Sequence, residues 1–152
     1  MNGAARWLPL VFVLALPAPA LAHGPGPGSS LQQERPLPRF GDPRFPRLPD
    51  DNADYLMIET EDEDPIQWDW FPGGGVPESG TATGHIRLAY RRGSQAIQAV
   101  AHGITYRRSS PSASATETIA LAGDVVLATP EGTLFSGRIT VVVDNENYRV
   151  EA

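Results

Sequence analysis

Apolar residues recur at every second position through most of the chain beyond residue 54, and turn residues break the pattern at short intervals. Period-two alternation sends one set of side chains to a core and the other to water, as in half-buried strands. It predicts short strands over 55–60, 66–70, 82–92, 95–101, 104–108, 118–121, 125–127, 134–136, 138–143 and 148–150. Pro72-Gly-Gly-Gly-Val-Pro77, Arg92-Gly93-Ser94, Pro130-Glu131-Gly132 and Asp144-Asn145 supply the breaks. No stretch after residue 22 carries a helical period, so the predicted class is all-β.

One unit repeats within this pattern. Gly84-His85-Ile86-Arg87-Leu88, Gly123-Asp124-Val125-Val126-Leu127 and Gly137-Arg138-Ile139-Thr140-Val141 share the form Gly-x-[Ile/Val]-x-[Leu/Val]. Gly103-Ile104-Thr105-Tyr106 is a copy without the spacer residue. Repetition of a strand-plus-turn unit points to a stacked β array. Glycine at the joints suits bulges or tight reversals, where a side chain clashes.

Two segments precede the strands. Residues 1–22 have the layout of a signal peptide: Arg6, an apolar run over 7–16, and Ala20-Leu21-Ala22 as the cleavage site, with His23 left as the mature N-terminus. The alternative is an uncleaved membrane anchor. The run is shorter than the ~20 residues a span needs, and Pro17 and Pro19 interrupt its end. Residues 23–54 are rich in Pro, Gly and Ser without an apolar period, and are read as a disordered spacer. Within them Pro38-Arg39-Phe40, Pro43-Arg44-Phe45 and Pro46-Arg47-Leu48-Pro49 form a quasi-repeat. Its alternative reading is an extended docking segment, stiffened by proline and anchored by Arg and Phe. Residues 55–152 form the β domain.

Charge and chemistry narrow the function. The formal charge is −6, and loss of Arg6 on cleavage makes it more negative. That excludes the basic footprint of a general nucleic-acid binder. Every cationic side chain is Arg and none is Lys. With no Cys there is no disulfide framework and no lipoprotein anchor, so the domain must hold together by core burial. No nucleophile or zinc-protease motif occurs. His85 and His102 occupy matching places beside repeat glycines, but two ligands do not make a closed zinc site. The acidic run from Glu59 to Asp64 lacks calcium-loop spacing and reads as a solvated turn. No catalytic residue, metal site or cofactor is expected.

The repeated units, with Ile119-Ala-Leu-Ala-Gly-Asp-Val-Val-Leu127 and the following Gly137-Arg-Ile-Thr-Val141, resemble the OstA-like family of lipopolysaccharide-transport proteins, the superfamily of LptA, LptC and the LptD N-terminal domain. The resemblance covers roughly residues 82–152 and weakens over 55–70. It implies a twisted β-jellyroll, an open antiparallel β-sandwich of stacked short strands. It also implies a periplasmic carrier or bridge for outer membrane biogenesis, with lipopolysaccharide acyl chains in an apolar groove. Partners would then be lipopolysaccharide itself, LptC-like and LptD-like proteins at the sheet edges, and further copies of the chain through strand pairing.

Under that reading the groove lining is Ile86, Leu88, Ile104, Tyr106, Ile119, Leu121, Val125, Leu127, Leu134, Ile139 and Val141. From the alternation alone, the same residues equally describe a filled core. Arg91-Arg92 and Arg107-Arg108 each follow a tyrosine. If their strands run side by side in register, four guanidinium groups gather at one rim and suit lipid A phosphates; otherwise they are solvated strand ends. The last strand, 148–150, offers an edge for strand addition. Three further readings stay open: an exported adaptor with a filled core that docks a protein, an LptC-like export component, and an envelope structural protein that assembles through strand edges.

Overall fold

A computed structural model describes residues 36–61, 65–145 and 147–152. The expected signal peptide and the first part of the spacer lie outside the described residues. Among those described, seven strands form one antiparallel sheet and there is no helix. The strands are β1 (Tyr55–Thr60), β2 (Gln67–Trp70), β3 (Pro77–Arg92), β4 (Gln95–Arg108), β5 (Glu117–Thr129), β6 (Gly132–Val143) and β7 (Tyr148–Glu151). The order is β1-β3-β4-β5-β6-β7, with β2 also on β3. β1 pairs with the second half of β3 and β2 with the first, so together they form one interrupted edge strand. The opposite edge is β7.

The strands are fewer and longer than the alternation predicts. The expected pairs 95–101 with 104–108, 118–121 with 125–127, and 134–136 with 138–143 are halves of β4, β5 and β6. The glycines between them do not reverse the chain. They sit at bulges or beside them. The ladders shift between Thr83 and Ile86, between Val100 and Gly103, and between Ala122 and Val125. Gly84 and Gly123 have φ of 101° and 81°, a left-handed conformation that glycine adopts without strain. Asp124 follows at φ 45°. In register, Thr83, Gly103, Ala122 and Arg138 make one row across β3 to β6. The repeat glycines therefore mark one line across the sheet.

The sheet folds over along that line. Tyr90 pairs with Ile97 on β4, and the adjacent Gln98 pairs with Ala128 on β5. Glu117 lies eleven residues back along β5 from Ala128, roughly 35 Å of straight strand. Yet the Tyr90 hydroxyl donates to the Glu117 carboxylate at 2.5 Å. Only a bend brings them together. The result is an open sandwich of two layers continuous through the fold line, with one apolar core between them.

Candidate functional site

The predicted lining faces inward as a set. Ile86, Leu88, Ile119, Val125, Ile139 and Val141 are 0 % exposed, and Ile104, Tyr106, Leu121 and Leu127 no more than 2 %. Leu134 is half-buried and packs against the same cluster. Removing one such side chain from water is worth about 1.5–3 kcal/mol. At these exposures no water-sized space opens against them. They form a filled core, not a groove lining open to a ligand. Ile58, Ile97 and Val143 complete the core.

One end of the core is closed by a polar clasp. Glu117 is only 5 % exposed and takes four donors. The Tyr90 hydroxyl and Arg92 Nη1 reach Oε2 at 2.5 and 3.1 Å; the Tyr106 hydroxyl and Arg108 Nη1 reach Oε1 at 2.5 and 3.0 Å. The arginines are satisfied further by backbone. Arg92 Nη2 donates to the Ala113 carbonyl at 2.7 Å and to Asn145 Oδ1 at 2.8 Å. Arg108 donates to the carbonyls of Ser110 and Ser112 at 2.9 and 2.8 Å. No buried side-chain polar atom lacks a partner among the described residues. Burial, and next the hydrogen bond to Glu117, push both phenols far above the ordinary tyrosine value.

The expected four-arginine rim does not form. β3 and β4 are antiparallel, so the two Tyr-Arg-Arg endings lie at opposite ends of their hairpin. The fold reunites Arg92 and Arg108, but around a carboxylate that neutralises them. Arg91 turns away and donates to the carbonyls of Pro49 and Asp51. Arg107 is exposed. Sequence reasoning missed Glu117, although its position carried a signal. It stands in phase with Ile119 and Leu121, and a charge on an inward face demands partners.

The second departure is a strap. The lack of alternation predicts a disordered spacer over residues 23–54, yet residues 38–51 of it lie on the outer face of the sheet. Ala89, Gln98, Ala128 and Thr133 form one register row over β3 to β6. Three are small, which leaves a trough. Gln98 grips the strap on two sides: the Gly41 N–H donates to its Oε1 at 2.6 Å, and its Nε2 donates to the Pro46 carbonyl at 2.7 Å. Thr133 Oγ1 donates to the Pro38 carbonyl, and Arg87 Nε to that of Arg44. Phe45, in the second Pro-Arg-Phe unit, is 3 % exposed. Asp42 shapes the turn by accepting from Arg44, whose side chain holds the Asp42 carboxyl down at about 2. The repeat thus packs on the chain's own sheet. A cleft of about 520 Å³ between strap and sheet is lined by Phe45, Glu61, His85, Val100 and Val126, among others.

His85 and His102 do approach, with ring centroids 6.1 Å apart on the outer side of the fold line. Among the described residues no group of three or more His, Cys, Asp or Glu is placed to hold a metal. Residues 62–64 of the acidic run lie outside those described. At the sheet margins, among the described residues, β7 ladders with β6 alone and β1 and β2 with β3 alone. No protein-family model matches the chain, and no curated protein or solved structure does.

Proposed function

We propose that this protein is a non-catalytic assembly module of the cell envelope that joins protein partners by strand addition. The observation that carries the reading is the pairing of the sheet: among the described residues β7, the last strand at one margin, ladders with β6 alone. A bare strand edge is a template for another chain. The closed core favours this adaptor reading over lipid carriage, because its side chains already satisfy one another. Photo-crosslinking probes at Arg149 and Glu151 on β7, in intact envelopes, test it. Protein adducts that are absent with a probe at the turn residue Glu131 are expected. No adduct at either position would remove the reading.

Lipopolysaccharide carriage of the OstA-like kind is the second reading. It is favoured by the apolar core, which runs unbroken through both layers, and by the sheet, which is not closed opposite its fold line. An acyl chain would enter only if the layers part, and parting them breaks the Glu117 clasp. In that reading the periplasm is the site of action and lipid A the cargo.

A further inference from the structure

Trp70 is 54 % exposed at the end of the edge strand β2. Tryptophan combines a large apolar ring with an N–H donor and is enriched where proteins meet partners. Trp70 is not loose. Its ring lies 6.3 Å from that of Trp68, which packs edge-on to the buried Tyr106 at 6.2 Å. Gly80 makes this possible, since a Cβ there would fall 2.5 Å from the Trp68 ring. The platform is thus backed by the core.

Polar groups surround it. Trp70 lines an open cleft of about 650 Å³ with Asp69, Glu78, Ser79, Arg107 and the guanidinium-bearing Arg108. Asp69, Ser79 and Arg107 are register neighbours on β2, β3 and β4, so the ladder fixes their spacing. Ser79 Oγ donates to Asp69 Oδ2 at 3.2 Å. Arg108 is already committed to Glu117. The cleft therefore offers one exposed indole, two carboxylate acceptors and, in Arg107, a guanidinium with no hydrogen-bond partner among the described residues.

A pyranose ring has the complementary shape: an apolar C–H face with hydroxyls around its rim. The indole covers the face, while the carboxylates and Arg107 bond the hydroxyls and fix orientation. An apolar peptide side chain would leave these charges without partners. The excess of carboxylate selects against acidic sugars. We propose that this cleft is a saccharide-binding site for neutral or amino sugars, with one ring stacked on Trp70. The site lies on the β2 margin, away from the β7 edge, and does not depend on lipid binding.

Isothermal titration of the full chain tests it, using hexamers of glucose (β-1,4), N-acetylglucosamine, glucosamine and galacturonic acid. Binding of at least one neutral or amino hexamer is expected, with none of the galacturonate. Trp70→Ala should weaken that binding at least tenfold with the thermal midpoint unchanged, and Trp70→Phe should retain part of it. Arg107→Ala provides a second variant that leaves the platform in place and should also weaken binding. Absence of binding by every neutral and amino hexamer, preference for galacturonate, or affinity unchanged from the parent in Trp70→Ala and in Arg107→Ala would each overturn the proposal.

Discussion

Tyr90 and Tyr106 stand at opposite ends of the β3–β4 hairpin, yet their hydroxyls meet on the two oxygens of one carboxylate, Glu117. Tyr90 belongs to one layer and Tyr106 to the other. The carboxylate therefore staples the folded sheet shut where no ladder bonds do so. Arg92 and Arg108 repeat the arrangement, one from each layer. The clasp thus ties the two layers together at this end, with all five side chains partnered.

Removing the carboxylate leaves two arginines facing each other in a dry site. Glu117→Gln should cost about 3–5 kcal/mol of folding stability. Tyr90→Phe and Tyr106→Phe each lose one charge-assisted hydrogen bond, about 1.5–3 kcal/mol. Denaturant unfolding of the single and double variants checks this. Because the phenols share Glu117, the double variant should depart from additivity.

High pH should open the clasp. Both phenols are raised, by burial first and by Glu117 second, above the ordinary value of 10.0. Below that value the folded and unfolded chains both hold the protons, and the contribution is fully present. Above it the unfolded chain ionises first, so stability falls by about 1.4 kcal/mol per pH unit for each tyrosine. Urea unfolding should show no tyrosine-linked change from pH 9 to about 10 and this slope from there to about 11.5, reduced by about half in Tyr90→Phe.

The glycine line can be probed by contrast. Gly123 has a φ of 81°, and a Cβ there would sit 2.8 Å from that of His102. Gly123→Ala should cost about 1–3 kcal/mol. Gly137 meets nothing within 4 Å and has no positive φ. Gly137→Ala should stay within about 0.5 kcal/mol of the parent. Equal effects at both positions would mean that the bulge is not where the sheet bends.

The strap should detach without unfolding the sheet. Gln98→Ala removes both of its central bonds, and Phe45→Ala removes its buried anchor. Hydrogen exchange should rise over residues 38–51 in either variant, while amides of β4 and β5 keep their protection. Loss of protection throughout would make the strap part of the cooperative core.

Much of this fold was legible in the alternation. The inward residues Ile86, Leu88, Ile119, Leu121, Ile139 and Val141 follow from period two alone. The strand count did not, because Gly123 in a bulge and Gly93 in a hairpin turn leave the same mark in sequence while only one reverses the chain. Glu117, Arg92 and Arg108 were visible as charges in phase with apolar faces, but their convergence depends on a bend that alternation does not encode. The strap was hidden for another reason. It binds by side chains of the sheet reaching its own carbonyls, so it needs no apolar period. The family resemblance rests on the glycine units, and these serve here as a fold line.

The filled interior is the point that separates the assembly reading from lipid carriage. Photo-crosslinking with a benzoylphenylalanine probe at Leu121, Leu127 and Ile139, in envelopes containing lipopolysaccharide, addresses it directly, with the exposed Arg138 as the outward control. The closed core predicts no lipid adduct at the three inward positions, and protein adducts only from probes on the sheet edges. Lipid adducts at Leu121, Leu127 and Ile139, absent at Arg138 in a correctly folded chain, would contradict it and make the apolar core a carrier groove.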